Sequence, residues 1–350
     1  MLRVTTLYAS SAVATAAYYT RYLAEAPGEE PGVWLGGQAM GLGLDGRVDA
    51  DELQSLLEGR DPYGGTPLGL PLRDRTLASG KVIRAVAGFD ATFSAPKSVS
   101  VWWALTGDRG VLAAHDVAVR AALEHLERFG ATTRVRANGG RQYPDTNGLT
   151  VAAFRQTTSR ADDPQLHTHA VISAKVQTDD GRWMALDARH LKRCQRMLGG
   201  LYQSVLRAEL TYRYGVAWEP IVNGQAELAG VPRDLLEVFS KRTDQVDAAL
   251  AAKVEEFHAR EGRDPTRWER AALCREAAAD TRAHKTSHGV ADLRTRWQAE
   301  AAEVGWTGCR CRARRGHAPM SYEPSVTSSR RCRRSTGTVG PCGWSGRVTE

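Results

Sequence analysis

The sequence predicts an α+β chain, with strands and helices mixed over the first 220 residues and helices alone thereafter. Three observations carry this. Residues 149–155 and 166–175 are rich in β-formers and bounded by turn-forming residues, the pattern of two strands. Residues 112–129 place Val119, Leu123 and Leu126 at helical spacing, as a long helix after Asp187 does with Leu198, Leu201, Val205 and Leu210. Three helical segments follow near 232–260, 264–285 and 289–304, with no strand signal among them.

In chain order, Leu2–Val4 alternates as a short strand. Ser10–Leu23 is an Ala-rich helix carrying Tyr18, Tyr19 and Tyr22. Residues 26–80 are rich in Gly and Pro and read as loop, apart from a short helix at Asp49–Leu57. Phe89–Phe93 reads as a strand. Ser94–Ser98 is turn chemistry, with Pro96 fixing φ. Asp187 is placed to cap the long helix after it.

The formal charge of +7 invites a nucleic-acid reading, but its distribution narrows it. Residues 306–350 hold nine Arg, no Lys and two Glu, an excess of seven. Residues 1–305 therefore balance, with 38 basic and 38 acidic side chains. Any affinity for nucleic acid in the body must come from local patches. No stretch approaches the roughly 18 apolar residues of a membrane span. Only Cys194 and Cys274 lie in the body, which fits a reducing compartment. The apolar N-terminus is interrupted by Ser10, Ser11 and Thr15 and lacks a cleavage site, so a cytoplasmic location is expected. There is no Gly-x-x-x-x-Gly-Lys-Ser/Thr phosphate loop, which excludes that type of ATP-driven motor.

The sharpest chemical feature is His167-Thr168-His169. On a strand, residues i and i+2 share a face, so the two imidazoles form a two-point grip for a divalent metal. A lone His-x-His more often marks two hydrogen-bonded histidines on a half-exposed strand. Context raises its meaning. If 149–156 and 166–173 pair antiparallel, Gln156 sits beside the histidines and its amide oxygen is a candidate third ligand. Tyr18 and Tyr19 diverge by about 100° on a helix, so only one can face a given site. Asp90, at a strand end, is placed to orient a histidine or take a proton. Lys97 and Ser98 are candidate phosphate contacts.

These residues together resemble the MobF class of conjugative relaxases, of the TrwC/TraI type. Four blocks carry the resemblance: Tyr18-Tyr19, FDATFSAPKSVS at 89–100, FRQTTSRADDPQLHTHAVI at 154–172, and FSKRTDQV at 239–246. Their order matches over about residues 1–305. The resemblance implies a central antiparallel sheet flanked by helices, with a helical C-terminal part. It implies a metal-dependent single-strand DNA endonuclease and transesterase of the HUH group, acting on hairpin-bearing transfer-origin DNA. Tyr18 would be the nucleophile and Tyr19 its neighbour. His167 and His169 would hold Mg²⁺ or Mn²⁺, and Asp90 would hold a ligand histidine and assist deprotonation. Arg160, Lys241 and Arg242 join Lys97 and Ser98 as candidate DNA contacts. Trp102, Trp103, Tyr212, Tyr214 and Trp218 are candidates for base stacking, although each alone reads more readily as core. A monomer is expected, with the coupling protein of a type IV secretion system as a further partner.

Three departures stand out. Gln156 occupies the place of the family's usual third histidine, which favours harder ions and weaker binding. A second tyrosine cluster is reduced to Tyr22. The helicase that usually follows is missing, and residues 306–350 read as a disordered tail or the product of a frameshift. The remaining alternatives are a rolling-circle replication initiator, which shares the chemistry, and a non-catalytic DNA-binding remnant.

Overall fold

The computed structural model describes residues 1–24, 30–137, 139–282 and 288–306. The expectations for the Tyr22 side chain and for the basic tail beyond Trp306 lie outside the described residues. In chain order the N-terminal part comprises β1 (Leu2–Tyr8), α1 (Ala12–Ala24), β2 (Val33–Leu35), α2 (Gly37–Gly41), α3 (Ala50–Leu57), β3 (Arg75–Thr76), β4 (Val82–Ile83) and β5 (Val86–Ser94). The middle holds α4 (Lys97–Thr106), α5 (Arg109–Gly130), β6 (Val135–Ala137), β7 (Gly140–Gln142), β8 (Val151–Thr158), β9 (Pro164–Ser173), β10 (Lys175–Gln177) and β11 (Trp183–Ala185). Helices complete it: α6 (Ala188–Tyr214), α7 (Arg233–Val238), α8 (Lys241–Glu261), α9 (Arg267–Asp280) and α10 (Val290–Glu303).

The main sheet has five strands in the order β1-β5-β9-β8-β2, each pair antiparallel. The two strand segments singled out in the sequence, β8 and β9, are neighbours with Gln156 opposite His167 and Phe154 opposite His169. Period-2 alternation gives the sheet two buried faces. Phe89, Phe93, Leu166, Ala170 and Ile172 join the larger core with α4, α5 and α6. Phe154, Val171 and Ala152 join a smaller one with Tyr19 and Ala16 of α1 and with Leu53, Leu56 and Leu57 of α3. The histidines therefore lie on the face that α1 covers.

Several helix ends follow the local chemistry. Asp49 accepts from the Asp51 and Glu52 amides and forms a capping box with Glu52. Asp187 caps α6 through the Arg189 amide, and Thr266 with Glu269 boxes the start of α9. Gly215 ends α6 with φ 67°, a left-handed conformation that costs glycine least.

The structure departs from the sequence reading over residues 26–80 and 232–260, and α4 starts within the Ser94–Ser98 turn. The loop expected over 26–80 contains an edge strand, β2, whose partner β8 lies more than a hundred residues away. The single helix expected over 232–260 breaks at Phe239-Ser240 into α7 and α8. Phe239 is fully buried, and its carbonyl accepts from Lys97 Nζ at 2.7 Å instead of continuing a helix. Among the described residues no helix is long and apolar enough to cross a membrane.

Candidate active site

The two histidines of β9 point to one face, with ring centroids 5.1 Å apart. Their Nδ1 atoms are both committed. His167 Nδ1 lies 2.8 Å from the Gln165 carbonyl, which can only accept, so Nδ1 carries the proton and Nε2 the lone pair. His169 Nδ1 lies 2.9 Å from Asp90 Oδ2 and 3.1 Å from Oδ1. This carboxylate–histidine pair is the arrangement that fixes tautomer and ring orientation in metal-ligating histidines. Thr92 Oγ1 donates to Asp90 Oδ1 at 3.2 Å and steadies the carboxylate from the same strand.

The antiparallel register of β5 on β9 places these groups together. Asp90 is 7 % exposed and Thr92 lies opposite His169. Tyr19 then closes the cluster from α1. Its hydroxyl donates to Asp90 Oδ2 at 2.8 Å, its ring stacks on Phe154 at 5.1 Å, and it lies 5.4 Å from the His169 ring. Burial first, then the negative charge of Asp90, pushes the Tyr19 hydroxyl far above the ordinary tyrosine range. Tyr19 is therefore a fixed neutral donor. Tyr18 packs edge-on against it at 5.1 Å and is only partly buried. Its hydroxyl accepts from Arg160 at 3.3 Å.

Among the described residues no three His, Cys, Asp or Glu side chains are gathered to hold an ion. Any further protein donor beside the histidines is of another type. Gln156 is the one that the register supplies, directly opposite His167. It is 4 % exposed, and its Nε2 is buried with no hydrogen-bond partner. Amide nitrogen and oxygen exchange places by a flip, so this position suits an oxygen facing a cation. Two imidazole Nε2 donors and a buried amide fit a metal ion.

The candidate DNA contacts divide. Arg160, in the β8–β9 turn, reaches Tyr18. Ser98 is buried, Lys97 and Arg242 are partly buried with internal partners, and the Lys241 side chain stays 40 % exposed. Ser98 is fully buried; its Oγ accepts from the Leu228 amide at 2.8 Å, and its own amide donates to Glu227 Oε2 at 2.7 Å. Lys97 Nζ donates to the carbonyls of Pro164 and Phe239 at 3.1 and 2.7 Å. Lys241 pairs with Glu300 at 2.7 Å. Arg242 donates to the Ala278 and Thr281 carbonyls at 2.8 and 2.7 Å. Lys97, Lys241 and Arg242 clasp the start of β9 to the C-terminal helices. Trp102 and Trp103 are likewise core, and Tyr214 packs edge-on on Trp102. Trp218 packs partly buried against the same core, and Tyr212 is 39 % exposed.

One feature escaped the sequence reading. The β3–β4 ribbon is exposed throughout residues 73–84 and carries Arg73, Arg75, Lys81 and Arg84 against the single carboxylate of Asp74. It springs from the β1–α1 corner, where the Arg84 guanidinium lies 3.9 Å above the Tyr8 ring and the Ala9 amide donates to the Ala85 carbonyl. The available signal was Ser79-Gly80 between two β-prone pairs, a hairpin pattern. Gly80 indeed takes a φ of 77° there.

The sequence model of the TrwC relaxase family matches residues 4–304. The multifunctional conjugation protein TraI of Escherichia coli is 36 % identical over 229 residues, 62 % of this chain. The chain spans 12 % of the length of that curated relative. A solved metal-bound structure of the conjugative relaxase TrwC in complex with OriT DNA is 34 % identical, with a TM-score of 0.72, and covers 87 % of this chain and 99 % of its own. A second, TrwC with a 27-mer DNA comprising the recognition hairpin and the cleavage site, superposes with a TM-score of 0.69 at 34 % identity over the same shares.

Proposed function

The chain belongs to the TrwC relaxase family, and from that membership we propose that residues 1–305 nick and rejoin one strand of a plasmid transfer origin. The observation that carries this is the Asp90 carboxylate, shared by the Tyr19 hydroxyl and the His169 imidazole beneath a second tyrosine. This is a site built to hold an ion and a nucleophile side by side.

The Tyr18 oxygen is the nucleophile. It attacks the scissile phosphorus, its proton passes to solvent, and the P–O3′ bond breaks, the departing 3′-oxygen taking a proton from solvent. The product is a 5′-phosphotyrosine and a free 3′-hydroxyl. Attack of a 3′-hydroxyl on that ester reverses the step and needs no ATP, because the phosphodiester energy is retained. Arg160 donates to the Tyr18 oxygen at 3.3 Å and orients it for attack. Tyr19 and Asp90 hold the cluster rigid, and Asp90 fixes His169 for coordination. His167, His169 and Gln156 would hold a divalent ion, Mg²⁺ or Mn²⁺, which when bound supplies Lewis acidity to the nonbridging phosphate oxygens.

The β3–β4 ribbon adds a basic two-stranded element of the kind a major groove admits, and suits the duplex arm of a hairpin. The expected setting is a cytoplasmic monomer that meets a coupling protein of a secretion system.

The test is incubation of the protein with labelled single-stranded transfer-origin DNA and Mg²⁺ or Mn²⁺. A denaturant-stable adduct, lost in Tyr18→Phe, supports the proposal. Tight binding with no adduct would identify a non-catalytic remnant instead.

A further inference from the structure

The β8–β9 turn, Ser159 to Asp163, lies between Gln156 and the histidine strand and carries Arg160. Asp162 within it has a φ of 57°, an uncommon conformation for a residue with a Cβ, sustained only when its surroundings hold it. What holds it is the C-terminal helical part. The Trp297 indole N–H donates to the Asp162 carbonyl at 2.8 Å, and Arg296 donates to the same oxygen at 3.3 Å. His288 Nδ1 lies 3.0 Å from Asp162 Oδ2. The Arg242 amide donates to Asp163 Oδ2 at 3.3 Å. Trp297 is itself fully buried and packs edge-on against Trp103 of α4, so its N–H is fixed in direction. Inside the turn, Ser159 Oγ accepts from the Ala161 and Asp163 amides, which makes it a stiff unit.

We propose that Trp297 and Asp162 are positioning residues for Tyr18, acting through the turn by fixing where the Arg160 guanidinium sits. The C-terminal helices thus belong to the catalytic apparatus although these residues do not reach the reacting atoms. An Arg160 displaced by an ångström loses its contact with the phenolic oxygen, and misplacement of that size costs up to about 100-fold in rate. The inference rests on Tyr18 being the nucleophile.

A double-mutant cycle tests it, reading the single-turnover rate of adduct formation and, separately, the affinity for the same oligonucleotide. Trp297→Phe removes the N–H. Asp162→Gly accepts the left-handed φ but removes the buried carboxylate that pairs with His288 and Arg296. Each is expected to slow adduct formation by about 10-fold or more with affinity unchanged. In an Arg160→Ala background each is expected to change the rate by less than about twofold. Losses that multiply fully in that background would overturn the proposal, as would wild-type rates in both variants. Absence of any adduct in the wild-type protein would instead overturn the assignment of the nucleophile. Thermal unfolding of each variant separates a folding defect in Trp297→Phe from the effect on rate. If that variant is unfolded, the Asp162→Gly arm of the cycle decides alone.

Discussion

Tyr19 donates its hydroxyl proton to Asp90 at 2.8 Å, and that bond gives two adjacent, chemically identical side chains different surroundings. Tyr19 is locked against a carboxylate and stacked on Phe154, while Tyr18 meets the guanidinium of Arg160. One hydroxyl faces an anion and the other a cation.

Substitution should therefore separate the two tyrosines. Tyr18→Phe is expected to abolish the covalent adduct, since it removes the attacking oxygen while Tyr19 stays bound to Asp90. Tyr19→Phe should retain the adduct and form it about 10- to 100-fold more slowly, the usual cost of removing a partner that orients a ligating group. Gel analysis of labelled oligonucleotide after denaturation checks both. An adduct surviving in Tyr18→Phe and lost in Tyr19→Phe would reverse the assignment.

The amide at Gln156 makes a second prediction. A neutral oxygen is a weaker donor to a divalent ion than an imidazole. Gln156→Ala should raise the Mn²⁺ concentration for half-maximal cleavage by about 10-fold, and Gln156→His should lower it. The measurement is a metal titration of the cleavage rate after chelation. Unchanged metal dependence in both variants would remove Gln156 from the ligand set.

The charge of the β3–β4 ribbon yields a third. Each phosphate contact that is lost lowers the slope of log affinity against log salt by about one. Replacing Arg73, Arg75 and Lys81 by Ala should weaken binding of a hairpin substrate at low salt and flatten its salt dependence. It should leave binding of an unstructured strand nearly unchanged. Anisotropy titrations at several salt concentrations, with hairpin and linear oligonucleotides, compare the two. Equal losses on both would place the ribbon on the single strand.

The site was legible where its chemistry follows strand periodicity. His167 and His169 share a face because they are two apart, and Gln156 lies opposite because the two β-rich segments pair antiparallel. Which of Tyr18 and Tyr19 meets Asp90 was not legible from helix geometry, since it depends on which face of α1 packs on Phe154 and Asp90. The internal partners of Lys97, Ser98, Lys241 and Arg242 were hidden for a related reason. A cation or hydroxyl in a motif reads as a DNA contact, whereas these groups satisfy buried carbonyls, amides and carboxylates across 130 residues or more in two cases. Edge strand β2 was hidden because three residues in Gly-rich sequence carry no period, and a distant partner makes them a strand.

Asp163 gives the last prediction, and it concerns stability. Its side chain is buried, and burial pushes its carboxyl up to about 6 against the opposing pull of Lys97, the Arg242 amide and Lys241. One carboxylate oxygen has no hydrogen-bond partner. A carboxyl whose folded pKa is raised favours the folded state in its protonated form. That contribution is complete below the ordinary value of 3.8 and is lost as pH rises through about 6. Two pKa units correspond to about 3 kcal/mol, an upper bound on the loss. Asn at this position keeps the carbonyl that accepts from the Arg242 amide and cannot ionise. Asp163→Asn should therefore be at least as stable as the wild type at pH 7, by about 1 to 3 kcal/mol, and the difference should vanish near pH 4. Urea unfolding at pH 4.5, 6 and 7.5 measures this difference, and other carboxylates cancel in the comparison. A variant less stable at pH 7.5 would mean that attraction to Lys97 and Lys241 outweighs the cost of burying the charge.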